Sequence, residues 1–139
     1  MRTWWRDPWL APVGLLGAVA AGAYGWLQGG AVPGLTALLL LVLAYPVLEE
    51  IVFRGVVQPF LFELTGGAGI GPLTYANILT SFAFSAMHLL NHTPLHAGLV
   101  WLPSLAFGWF RDRSGSILPG MVLHVGWNAC VFLAPALYA

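Results

Sequence analysis

Glu49-Glu50-Ile51-Val52-Phe53-Arg54 sets two carboxylates and one guanidinium inside one of the most apolar parts of the chain. Leu38 to Leu43 precedes it without a polar side chain, and Gly55-Val56-Val57 follows. A charge at mid-bilayer costs about 2.5–3.5 kcal/mol on insertion scales, so three together must pair, reach water or do chemistry. On a helix, Glu50 and Arg54 are four apart and neutralise one another across one face. Glu49 points about 100° away from Glu50 and has no partner within its own helix. It is the residue that needs a reason.

Two further polar clusters lie in apolar surroundings. In Phe84-Ser85-Ala86-Met87-His88, Phe84 and His88 share a helical face, and Ser81 and Asn77 continue the stripe. In His124-Val125-Gly126-Trp127-Asn128, His124 and Asn128 stand one turn apart. A single such histidine is accounted for by an interhelical hydrogen bond, worth about 0.6 kcal/mol on average in a membrane. Two histidines, an asparagine and an unpaired glutamate on three helices can instead converge on one cavity. His92 and His96 sit beside a loop and read as interfacial.

Convergence of these groups permits two chemistries. His88, His124 and one carboxylate can hold a metal ion with an open position for water, although no His-Glu-x-x-His is present. Alternatively, Glu49 acts as general base on a water that His88 helps to hold. His124 and Asn128 then donate to the developing oxyanion. No cofactor is demanded by the spacing, and zinc stays open beside the metal-free scheme.

The composition says what surrounds these groups. Of 139 residues, 59% are hydrophobic and 7% charged, against about 25% charged in a soluble domain. With a mean hydropathy of +0.82, the expected solvent is lipid. Five arginines balance five acidic residues and lysine is absent, which leaves no basic patch for nucleic acid. Cys130 is the single cysteine, so no intrachain disulfide forms. The expected fold is an all-α polytopic membrane protein, one domain over 1–139, with about five transmembrane helices.

The helices that must position the site follow from the punctuation. Trp9 to Leu27 is an apolar run flanked by Arg2 and Arg6, which also fits a signal peptide. Trp9 and Trp26 lie about 25 Å apart on a helix, near hydrocarbon thickness, so a retained span is expected. After Gln28-Gly29-Gly30, a second helix opens at Pro33-Gly34 and runs toward Glu63, kinked or broken at Pro46 and Pro59. Gly66-Gly67-Ala68-Gly69 is a loop. A third helix is expected from about Pro72 to Leu90, and Thr93-Pro94 caps and opens a fourth that reaches Phe110. Arg111-Asp112-Arg113-Ser114-Gly115 reads as a polar turn, and Ser116 or Pro119 begins a fifth helix reaching Tyr138. With five spans, Arg2, Arg6, Arg111 and Arg113 fall on one side, which makes the N-terminus cytoplasmic.

The ordered set Glu-Glu-x-x-x-Arg (Glu49, Glu50, Arg54), Phe-x-x-x-His (Phe84, His88) and His-x-x-x-Asn (His124, Asn128) resembles the CAAX-protease and bacteriocin-processing family, also called CPBP or Abi. Arg111 to Ile117 looks like that family's basic-acidic turn, and the resemblance covers about Leu38 to Cys130. It implies an intramembrane endopeptidase of glutamic type, acting on a membrane-anchored protein or peptide substrate among membrane lipids, in the bacterial inner membrane. By this analogy Glu49 is the base, His88 its partner, and His124 with Asn128 the oxyanion donors. Glu50 and Arg54 form a structural ion pair, and Phe84 packs the motif. The chain is shorter than the prenyl endopeptidases and is similar to the myxosortase-like processors, which cut C-terminal sorting tails. A proton or ion pathway, a scaffold or a bacteriocin-immunity protein would carry the same buried groups.

Overall fold

The computed structural model describes residues 3–138, so Arg2 of the charge argument lies outside the described residues. Five long helices fill most of it: α1 (Leu10–Gln28), α2 (Leu35–Leu64), α3 (Tyr75–His88), α4 (Pro94–Ser114) and α5 (Leu118–Leu133). Single 3₁₀ turns flank them at Trp4–Arg6 and Ala134–Tyr138. Three of the five are long and apolar enough to cross a bilayer: α1, α2, and α5 with its 3₁₀ extension to Leu137. At 14 residues, α3 extends only about 21 Å, short of a hydrocarbon core of about 30 Å. α4 ends in the charged run Arg111-Asp112-Arg113. Length and composition together therefore support a helical membrane protein and mark three spans, without establishing the expected five.

Polar and apolar residues are distributed inside out. Leu15, Leu16 and Val19 on α1 and Leu43, Leu48, Ile51 and Val52 on α2 face outward. Glu50, Arg54, Gln58, Asn77, Thr80, Ser81, Ser104 and His124 are buried. This is the pattern of helices solvated by lipid, where interior polar groups join helices that have no hydrophobic drive to associate.

α1 lies along α5 through small residues. A side chain at Gly25 would meet the Val131 carbonyl, and one at Gly17 would meet the Trp127 indole. Trp127 Nε1 donates to the Gly14 carbonyl at 3.0 Å. Phe107, Phe110, Leu123 and Trp127 form the apolar core, with Leu10 and Val13 of α1 packed against it.

The kinks expected at Pro46 and Pro59 take a specific form. α2 stays continuous, but a π turn precedes each proline, at Leu40–Ala44 and Phe53–Val57. The amide of Tyr45 bonds the Leu40 carbonyl and that of Gln58 bonds the Phe53 carbonyl, each five residues back. The wider turn moves the carbonyl that a proline ring would strike in an α-helix.

Other boundaries shift for local reasons. α3 begins at Tyr75, not Pro72, because Leu73–Thr74 pairs antiparallel with Gly69–Ile70 in a two-stranded ribbon. Thr74 then caps α3, accepting from the Asn77 amide. Thr93 caps α4 as expected, with Pro94 in the first turn. The polar turn expected at 111–115 is instead the last turn of α4. The helix stops only at Gly115, whose φ of 71° and ψ of 5° give a left-handed cap. Asp112 faces inward: Gln58 Nε2 and Thr74 Oγ1 each donate to it, both at 2.7 Å. Arg113 pairs with Asp7 at 2.8 Å, so the N-terminal segment and the α4–α5 turn occupy one end of the bundle.

Candidate active site

Glu50 is fully buried, and its Oε1 receives Arg54 Nη1 at 3.1 Å. The guanidinium also donates through Nη2 to the Ser104 carbonyl at 2.8 Å and to the Ser104 hydroxyl. Phe84 and Phe107 lie on either side of it, 4.9 and 5.4 Å from their ring centroids. Hydrogen bonds and aromatic faces replace part of the hydration the cation loses, while its Nε stays buried with no hydrogen-bond partner. The i,i+4 pairing read from the sequence is present.

The same Glu50 oxygen has a second partner, which the sequence did not indicate. His124 Nδ1 lies 3.0 Å from Oε1. A carboxylate can only accept, so Nδ1 carries the hydrogen and Nε2 is left facing Glu49 Oε2 at 3.6 Å. That gap is too long for a hydrogen bond. Glu50 therefore fixes the tautomer and orientation of His124 as well as neutralising Arg54. Room for it comes from Gly120, one turn before His124, since a side chain there would collide with Glu50 Oε2.

Glu49 differs from its neighbour in access. Its side chain is 23% exposed where that of Glu50 is 0%, and His124 is its nearest partner. One glutamate is partly open at the protein surface and the other is not.

Phe84 sits between the two motif histidines, 4.7 Å from the His88 ring and 5.8 Å from His124. His88 Nδ1 is 2.9 Å from the Phe84 carbonyl, one turn back. A carbonyl only accepts, so Nδ1 donates and Nε2 keeps its lone pair. Asn77 and Ser81 do continue the stripe, but Asn77 ties α3 to α4 through Nδ2 to the Leu105 carbonyl, and Ser81 Oγ donates to Asn77 Oδ1 within α3. His92 and His96 form a stacked pair 4.3 Å apart, beside a surface cavity of about 510 Å³ lined also by Tyr24 and Gln28.

Asn128 is drawn elsewhere. Its Nδ2 donates to the Leu41 carbonyl at 2.9 Å, inside the first π turn of α2. In the second, Arg111 Nε donates to the Arg54 carbonyl at 3.0 Å. Sequence reasoning missed Arg111 and Ser104 as supports of the site. They stand seven apart on one face of α4, two turns, and that spacing was the available signal.

Among the described residues, no three His, Cys, Asp or Glu side chains gather in a geometry able to hold a metal ion. His124 spends Nδ1 on Glu50, and His88 spends Nδ1 on a carbonyl.

The interior of this helical membrane protein thus gathers one partly exposed glutamate, two oriented histidines and a neutralised Glu–Arg pair, groups able to take up and give protons. Comparison with protein families agrees. The family described as type II CAAX prenyl endopeptidase Rce1-like matches residues 31–130, and the chain belongs to it. That family indicates protease activity at the membrane. Neither the comparison with curated proteins nor that with solved structures found a match.

Proposed function

We propose that the chain is an intramembrane endopeptidase of glutamic type, with Glu49 as its general base. The observation that carries this reading is the contrast between adjacent carboxylates. Glu50 is sealed against Arg54 and His124, while Glu49 is partly exposed and faces His124 Nε2. In the proposed step, Glu49 takes a proton from water as its oxygen bonds to the scissile carbonyl carbon. The carbonyl π electrons move to oxygen, giving a tetrahedral oxyanion. Collapse breaks the C–N bond, and the carboxyl of Glu49 returns its proton to the departing amine.

His88, with Nε2 unencumbered, accepts from the water and orients it. His124, when it carries a proton on Nε2 as well, is flanked by Glu49 and Glu50 and donates to the oxyanion. Asn128, expected to share that role, has one amide hydrogen committed to Leu41.

The proposed substrate is a C-terminal tail held at the membrane, either a sorting tail with its own transmembrane segment and basic residues or a CAAX-type end. The proposed setting is a bacterial inner membrane crossed five times, with Arg6, Arg111 and Arg113 on the cytoplasmic side. Arg113 and Asp7 meet at one end, which supports a shared side for these arginines. α3 reaches across only if the bilayer thins or its flanking segments contribute. Co-expression of both tail types with wild type and Glu49→Gln tests the activity. Cleavage by wild type that Glu49→Gln abolishes is expected; equal cleavage by both would sink the assignment.

A further inference from the structure

The hydrogen-bond ledger of α2 leaves two particular carbonyls to explain. In each π turn the amides bond five residues back, as Tyr45 does to Leu40 and Gln58 to Phe53. In the same register the next residue would bond the next carbonyl: residue 46 to Leu41, and residue 59 to Arg54. Both of those residues are proline and have no hydrogen to give. The Leu41 and Arg54 carbonyls are the two that side chains from other helices satisfy, Asn128 from α5 at 2.9 Å and Arg111 from α4 at 3.0 Å.

We propose that Asn128 and Arg111 are matched positioning residues, each supplying the hydrogen that a proline withholds and so holding the π turn beside it. Between the two turns lies Tyr45–Val52, the segment that carries Glu49 and Glu50. A π turn holds one residue more than an α turn, so its collapse rotates the helix beyond it by about 100°. Such a rotation would carry Glu50 away from His124 and Gly120. Without water or a side-chain donor, a carbonyl inside the bundle has no other partner, and the helix would relax to regain one. Both donors come from outside α2 and from elements already touching the site. Asn128 is one turn after His124, and Arg111 is two turns after Ser104, which binds the Arg54 side chain.

The catalytic part of this inference rests on the endopeptidase reading; the bracing part does not. The test is therefore a rescue read two ways, on the full-length chain purified in detergent. Asn128→Ala, Pro46→Ala and the double variant form one set; Arg111→Met, Pro59→Ala and their double form the other. Thermal unfolding is measured for all, with cleavage of a prenylated CAAX peptide and of a sorting-tail reporter. Each donor variant alone is expected to lower the melting temperature by several degrees and to reduce kcat more than it changes KM. The proline replacement restores a backbone amide, so each double variant is expected to regain most of the melting temperature and much of the turnover.

Loss of turnover in Asn128→Ala at an unchanged melting temperature, with no recovery on adding Pro46→Ala, would overturn the bracing role and make Asn128 an oxyanion donor. Absence of rescue at both prolines would overturn the proposal entirely. If wild type cleaves neither probe while the melting temperatures show rescue, the brace stands and the endopeptidase reading falls. Should Arg111→Met fail to accumulate, Arg111→Gln keeps a donor of shorter reach and is scored against Pro59→Ala in the same way.

Discussion

His124 and Glu50 are joined at 3.0 Å through the oxygen that also receives Arg54. One carboxylate thus balances a buried cation and sets which imidazole nitrogen is free. The two tasks cannot be separated by mutating Glu50, and this shapes what its variants should show.

Glu49→Gln keeps size and removes only the base. Cleavage should fall by about 10²–10⁴ or more, since one group serves both proton transfers, with the melting temperature nearly unchanged. Quantitative cleavage beside thermal unfolding decides it.

Glu50→Gln strands the Arg54 guanidinium. Breaking a buried pair costs about 3–5 kcal/mol, so expression and melting temperature should drop along with activity. Glu50→Gln with Arg54→Gln should recover part of the stability, because no charge remains unpaired. It should recover little activity, because His124 then faces a neutral amide. A stable, inactive Glu50→Gln beside an active Glu49→Gln would reverse the assignment of the two glutamates.

Gly120→Ala should lower stability and cleavage together. Its methyl group meets Glu50 Oε2, and overpacking of this kind costs about 1–3 kcal/mol. Gly126→Ala is the control: the same substitution on the same helix has open space around it and should hold or raise the melting temperature. Equal effects at both positions would show that α5 does not press on the carboxylate.

Cleavage should persist after exhaustive chelation, because among the described residues no three His, Cys, Asp or Glu side chains are grouped to hold a metal ion. Activity abolished by chelator and restored by zinc alone would make Glu49, His88 and His124 ligands instead.

In a variant with Cys130 replaced, single cysteines at Gly30 and Asn91 should react with an impermeant reagent on intact cells, and one at Gly115 should not. The reverse pattern would invert the orientation. Labelling of Gly30 without Asn91 would remove one span from the count.

Contacts within one helical turn were legible in the sequence, and contacts between distant segments were not. The Glu50–Arg54 pair and the Thr93-Pro94 start of α4 follow from spacings of one to four residues, where backbone geometry fixes who meets whom. The bond from His124 to Glu50 spans 74 residues, and no periodicity encodes it. Glu50 consequently read as a partner of Arg54 alone. Arg111 and Asp112 suggested a turn because charged residues usually face water. Here they face Arg54, Gln58 and Thr74 across helix boundaries, so the helix continues to Gly115. Pro46 and Pro59 announced disruption correctly, but the sequence does not say whether a proline bends, breaks or widens a helix. That depends on whether a donor arrives from elsewhere.

The π turns of α2 also bear on the order of biosynthesis. α2 leaves the ribosome before α4 and α5, yet the donors for its two orphaned carbonyls reside on those later helices. His124, which bonds Glu50 and faces Glu49, is on α5 as well. A nascent chain ending near Gly115 therefore holds both glutamates and Arg111 but lacks Asn128 and His124. On the proposed mechanism, hydrolytic competence is acquired only when α5 docks, so a chain that stops before it should be inert toward its neighbours in the membrane. Truncation at Gly115, followed by co-expression of residues 116–139 as a separate segment, would show whether activity returns on docking alone.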